Sequence, residues 1–160
     1  RCAIVTGVQT CALPICPLYS LEKGMIQPSV IQFQDDSDKS LYCVNRTKTK
    51  WVADMRSADR GKTWTTPQNT TIPNPNSNVV VELSRTGEVY MVYNPVSRGR
   101  NVLSVARSHD KGHSWQRLID LQREKWGEFS YPCALETEDG LLHIVYTYKR
   151  QTIAHDVVLF

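Results

Sequence analysis

Long hydrophobic runs are absent from these 160 residues. No stretch approaches the ~20 consecutive apolar residues that a helix needs to cross a bilayer, so no membrane span is expected. Strong charge of either sign is missing too: Lys and Arg number 19 against 16 Asp and Glu, and the net +3 is spread along the chain. The densest basic run, around Lys48 and Lys50, has the look of a solvated loop, and nucleic acid is not an expected partner. Cysteine is scarce. Cys2, Cys11 and Cys16 fall in the first sixteen residues, which leaves only Cys43 and Cys133. Their spacing fits neither a disulfide framework nor a zinc centre, and both lie in apolar runs that predict buried free thiols. Metal-ligand spacing is found nowhere else, and no cofactor motif is complete. Ala3-Ile-Val-Thr-Gly7 lacks the further glycines of a dinucleotide-binding turn. Neither metal nor cofactor is therefore expected, nor is any obligate protein partner evident. A long helical period is missing as well, which excludes an α-helical fold.

What the chain does contain is a repeat. Ser57-Ala-Asp-Arg-Gly-Lys-Thr-Trp64 and Ser108-His-Asp-Lys-Gly-His-Ser-Trp115 share the pattern S-x-D-x-G-x-[ST]-W, 51 residues apart. The same offset relates Tyr42 to Tyr93, Met55 to Ala106 and Arg56 to Arg107. A fixed period near fifty residues points to propeller blades. Each unit divides into short alternating segments. Strands are expected at 30–33, 40–44, 52–56 and from 63 in the first unit. The second has 79–83, 89–93, 102–107 and 115–121, and a third unit has 133–137, 142–148 and 153–159. Asp35-Asp36, Thr86-Gly87 and Asp139-Gly140 supply turns between them. The fold expected is all-β.

Two resemblances sharpen this reading. Val5-Thr-Gly-Val-Gln-Thr-Cys-Ala-Leu-Pro-Ile15 resembles the translation of a short-read sequencing adapter, which implies that residues 1–16 are an artefactual leader and 17–160 the folded unit. The eight-residue repeat resembles the Asp box, or BNR repeat, of the sialidase (neuraminidase) superfamily. Ile26-Gln-Pro-Ser29, Pro73-Asn-Pro-Asn-Ser77, Val92-Tyr-Asn-Pro95, Gly127-Glu-Phe-Ser-Tyr-Pro132 and His143-Ile-Val-Tyr-Thr147 are similar to segments of its predicted-neuraminidase group. The resemblance implies a six-bladed β-propeller, of which about three blades are present here, since a full ring needs on the order of 300 residues. In the family the Asp-box hairpins lie away from the substrate, so Asp59 and Asp110 are expected to be structural.

The resemblance also implies chemistry. Sialidases use three arginines for a sugar carboxylate, a tyrosine nucleophile paired with a glutamate, and an aspartate acid/base. Arginine suits a carboxylate because its planar fork makes two parallel hydrogen bonds. Arg46, after the strand that ends in Asn45, and Arg100, with Arg98 as its alternative, match two of the arginines. Tyr131 matches the nucleophile, and Glu128, three residues earlier, is a second catalytic candidate. Gln27 stands where the activating glutamate is expected, and glutamine cannot take a proton. The first arginine and the aspartate have no counterpart in the sequence, which implies a fragment inactive alone. Tyr148 and His155, with His143, Lys149 and Arg150 nearby, complete the substrate-binding candidates.

Three functions follow as expectations. One is a sialidase-like exo-acting glycoside hydrolase on acidic carbohydrate. Another is a uronate-directed polysaccharide lyase, with Tyr131 or His155 moving the proton. The last is a non-catalytic carbohydrate-binding propeller; fold alone does not choose among them.

Overall fold

The computed structural model describes residues 23–34 and 39–160. The leader expected at 1–16 and the turn at Asp35-Asp36 lie outside the described residues. Those described form eleven strands and no helix. A first meander joins β1 (Ile26–Gln32), β2 (Leu41–Arg46), β3 (Trp51–Ser57) and β4 (Gln68–Pro73). The next joins β5 (Val80–Leu83), β6 (Val89–Tyr93), β7 (Val102–Ser108) and β8 (Gln116–Arg123). A third sheet has β9 (Phe129–Glu136), β10 (Leu142–Tyr148) and β11 (Thr152–Val158) in sequential order. All pairings within the sheets are antiparallel, and the first strands of successive sheets, β1, β5 and β9, lie side by side. This is a partial β-propeller of sialidase type, three blades converging on an axis.

Sequence alternation explains how the blades stack. Successive residues of a strand face opposite ways. In β6, Val89, Met91 and Tyr93 join Tyr42, Val44 and Val52 of the first blade. The intervening Tyr90 and Val92 join Leu103, Phe129, Ile144 and Tyr146 toward the third. The middle blade is thus covered on both faces, and all five residues of β6 are buried. That is why Val89-Tyr-Met-Val-Tyr93 is apolar throughout instead of alternating with polar residues. Each valine or leucine so buried contributes about 1.5–3 kcal/mol.

Strand register corrects one part of the repeat. Tyr42 pairs with Arg56, and Tyr90 pairs with Arg107. The arginines are 51 residues apart but the tyrosines only 48, so Tyr42 corresponds to Tyr90 and not to Tyr93. Three extra residues have entered the connection between β6 and β7. Three strands also begin elsewhere than expected. β1 starts at Ile26, four residues before Val30. β4 starts at Gln68 and not at Thr63, because the preceding turn continues until the Thr65 amide donates to the Arg56 carbonyl. β9 starts at Phe129, four residues early, and takes in Tyr131 and Pro132. Both Cys43 and Cys133 are free, but only Cys43 is buried. Cys133 shares the exposed face of β9 with Tyr131 and Leu135.

The Asp boxes close the β3–β4 and β7–β8 hairpins. Asp59 Oδ1 accepts from the Ser57 hydroxyl at 2.9 Å and the Thr63 amide at 2.8 Å, while Oδ2 accepts the Thr63 hydroxyl at 2.7 Å. Ser57 Oγ in turn accepts the Gly61 amide, and the Trp64 indole donates to the Gly61 carbonyl. Asp110 repeats the arrangement with Ser108, Ser114, Gly112 and Trp115. These bonds hold the Asp59 carboxyl down to about 2, the Thr63 amide first, and the Asp110 carboxyl well below its usual range, the Ser114 hydroxyl first. A carboxyl with a depressed folded value binds protons more weakly folded than unfolded. Its stabilisation is therefore complete above the ordinary value near 4 and is lost as pH falls through the folded value. Melting temperature should accordingly drop as pH falls from about 4 toward 2, and the drop should be shallower in an Asp59→Asn/Asp110→Asn double variant. Equal slopes in the two proteins would contradict this account.

Candidate functional site

β2 runs toward Arg46 and β3 returns toward Ser57, so Arg46 and the Asp boxes occupy opposite ends of the blades. The upper end gathers the starts of the inner strands. Ser29 pairs with Val44, Val80 with Val92, and Cys133 with Val145. Two residues before these equivalent positions stand Gln27, Asn78 and Tyr131. Gln27 and Tyr131 share a further trait: both precede proline and both adopt the left-handed backbone, with φ of 53° and 54°. Such a conformation is uncommon for a residue with a side chain, and it is kept where surrounding structure enforces it. At Gln27 the β1–β2 pairing is irregular between Ile26 and Ser29; next to Tyr131 the β9–β10 pairing is irregular between Val145 and Thr147. Asn78 donates to the Pro132 carbonyl at 3.3 Å and so ties the Tyr131 segment to the middle blade.

Arg100 reaches this mouth from the lengthened β6–β7 connection. Its backbone forms a parallel bridge with Glu128, and its carbonyl accepts the Phe129 amide at 2.8 Å. The side chain donates to Glu128 Oε1 at 3.2 Å, and its guanidinium carbon lies 5.4 Å from the centre of the Tyr131 ring. Below, Asn94 holds the same junction together by donating to the Val102 and Phe129 carbonyls. Arg46, the last residue of β2, comes from the first blade. Its Nε and Nη1 are buried and meet no hydrogen-bond partner among the described residues.

The electrostatic result is a modified phenol. Tyr131 is exposed, and its hydroxyl is held below the ordinary tyrosine value by Arg100 foremost; burial opposes this, and Arg46 adds a further lowering. Tyr42, Tyr90, Tyr93 and Tyr146 move the other way because they are buried. Among the described residues Tyr131 should therefore be the first phenol to ionise in an ultraviolet pH titration. Arg100→Gln should move that first transition upward, and Tyr131→Phe should remove it. A first transition unchanged by both substitutions would refute the assignment.

The remaining predicted residues separate. Glu128 lies in the mouth, but it bridges two cations: Oε2 accepts Arg150 Nε at 2.8 Å while Oε1 accepts Arg100. Arg150 first, then Arg100, keeps its carboxyl below the usual range, and no hydrogen bond joins it to Tyr131. That geometry fits a counter-ion and not a proton acceptor beside the phenol. Tyr148 stands on the upper rim with its ring 5.2 Å from Phe129 and its hydroxyl 3.4 Å from Glu124. His155 is set apart. It sits on β11, beyond β10, with Nε2 3.0 Å from His143 Nδ1. Sequence reasoning grouped Arg150 with the polar residues near Tyr148 and His155 and passed over Asn78. Only the strand register reveals the latter. Among the described residues no group of three or more His, Cys, Asp or Glu could hold a metal ion.

Residues 15–144 match the BNR repeat-like domain. The chain belongs to the BNR repeat-like family. A comparison with curated protein sequences finds no match. Solved structures share the BNR propeller at low identity. The intramolecular trans-sialidase of Ruminococcus gnavus, in complex with oseltamivir carboxylate, is 16% identical with a TM-score of 0.64; the match covers 83% of this chain and 32% of that one. The α-L-arabinofuranosidase of Fusarium graminearum is 15% identical with a TM-score of 0.61, covering 84% and 45%. The α-L-arabinanase of Penicillium chrysogenum, complexed with arabinobiose, is 15% identical with a TM-score of 0.64, covering 88% and 47%. This BNR chain thus spans less than half the length of each of these enzymes. The fold it shares with them is one used by glycoside hydrolases.

Proposed function

We propose that Arg46, Arg100 and Tyr131 form the anion-receiving part of a sialidase-like, exo-acting glycoside hydrolase directed at acidic glycans. The chain as it stands would bind but not turn over. One observation carries the reading: two guanidiniums from different blades act on a single exposed phenol, and one of them keeps two buried N–H groups without a partner. A substrate carboxylate would meet those donors with charge-assisted bonds. The Tyr131 oxygen would then attack the anomeric carbon as the glycosidic C–O bond breaks, with the proton for the leaving oxygen coming from an acid outside this set. Gln27 cannot deprotonate the phenol; the two arginines lower its proton affinity instead. The R. gnavus enzyme, which holds a carboxylate-bearing inhibitor on the same fold, supports the class of ligand.

The same phenol, with no carboxylate hydrogen-bonded to it, also suits a second reaction. A lowered tyrosine flanked by carboxylate-binding arginines can take the proton beside a uronate carboxyl, and β-elimination would follow. Assays on the full-length protein that contains this chain separate the two. Release of the fluorophore from a sialoside, lost in Tyr131→Phe, is the expected result. Ultraviolet absorbance of unsaturated uronate products, with no sialoside cleavage, would replace hydrolysis by lysis. Carbohydrate binding with neither reaction would leave a lectin-like propeller.

A further inference from the structure

The proposed hydrolase site uses Arg46, Arg100 and Tyr131, yet a third guanidinium reaches the same mouth. Arg150 lies in the three-residue connection between β10 and β11, where the Gln151 amide donates to the Tyr148 carbonyl at 3.0 Å across Lys149-Arg150. Lys149 and Arg150 both take the left-handed backbone there, with φ of 52° and 55°. This turn type strongly prefers Asn-Gly, and two long side chains in it are an outlier in need of a reason. The turn is anchored toward the mouth. The Lys149 amide donates to the Glu128 carbonyl at 2.7 Å, and Lys149 Nζ meets Glu124 at 2.9 Å. Arg150 spends only its Nε on Glu128 and remains 69% exposed. Arg46 and Arg100 are already assigned to the one substrate carboxylate, so the Arg150 guanidinium, bonded to Glu128 through Nε and otherwise open to solvent, is in excess of what that group takes up.

From this excess we infer that Arg150 is a specificity residue that receives a second anionic group, a carboxylate or a sulfate, on the same or the adjoining sugar. The inference rests on the proposed anion site. It names the substrate class more narrowly, as glycans with two negative charges close together. The strained turn presents Arg150 over the bridge that Glu128 makes to Arg100. The second anion would exchange for part of that bridge and leave Arg100 free for the first.

Binding to the full-length protein that contains this chain tests this, with three probes followed by calorimetry or NMR titration: N-acetylneuraminate, an α2,8-linked disialic acid and a 2-O-sulfated glucuronate. Both dianions should bind about tenfold more tightly than the monoanion, the margin of one additional charged hydrogen bond. Arg150→Gly should erase that margin. It should also raise the melting temperature, because glycine relieves the left-handed turn; a residue with a purely structural role would not give higher stability together with lost selectivity. A margin for only one dianion would identify carboxylate or sulfate as the second group. Monoanion binding that is sensitive to Arg46→Gln, with no advantage for either dianion, or a margin that survives Arg150→Gly, overturns the role of Arg150 alone. Failure of all three probes to bind overturns the anion site and this inference together.

Discussion

Gly112→Ala is expected to cost the fold about 3 kcal/mol, the largest loss foreseen for any single methyl group in this chain. Gly112 sits in the second Asp box with φ of 87°, where an L side chain is strained regardless of space. Space is lacking as well. A Cβ there would lie 2.7 Å from the Tyr42 ring, which is fully buried between the first and second blades. Tyr42 has little room to retreat, since the Arg56 guanidinium covers it at 4.3 Å and that arginine is itself bonded to the Lys111 carbonyl. The sister position offers an internal control. Gly61 has the same backbone, φ 85°, but its Cβ would crowd just the flexible end of Leu41, at 3.2 Å, with the Trp64 indole at an ordinary 4.0 Å. Gly61→Ala should therefore lose only about 1–2 kcal/mol, the backbone penalty with little added for crowding. Urea denaturation of both variants and of Gly112→Ala/Tyr42→Leu would check this. Equal losses at the two glycines, or no coupling to Tyr42, would mean that the box does not clamp the blades together.

Replacing Arg46 by methionine should move stability and binding in opposite directions. The guanidinium has two buried N–H groups without partners, a desolvation cost that an unbranched apolar chain removes. Arg46→Met is expected to gain about 1–2 kcal/mol in stability while weakening N-acetylneuraminate binding by about thirtyfold. The denaturation midpoint and an NMR titration read the two effects separately. A variant that is less stable and binds unchanged would show that Arg46 serves only the fold.

These contrasts follow from how far apart the interacting residues lie in sequence. The Asp boxes were legible because every bond that defines them falls within eight residues. Blade order was legible from their spacing. The correspondence of Tyr42 with Tyr93 failed because three residues had been inserted between the tyrosines and the boxes, and only the pairing with Arg56 and Arg107 exposes the insertion. The convergence of Arg46, Arg100 and Tyr131 was legible through resemblance alone, since nothing local in the sequence links them. Arg150 was legible only as one of a polar group near Tyr148, not as a partner of Glu128. Its contact with Glu128 spans 22 residues and depends on an unusual turn that Lys149-Arg150 does not advertise. His155 misled for the complementary reason: it is near Tyr148 in the chain, but a strand of alternating faces carries it to the outer edge.

The lengthened connection after β6 has one more consequence. Its excess is absorbed entirely above the sheet, and the hairpin below returns in phase with its neighbour. Loop length on one side of the ring is thereby uncoupled from the joints on the other. Insertions there can reposition a charged group such as Arg100 without shifting a single packed strand. A scaffold wired this way can change what it grips while keeping what holds it up.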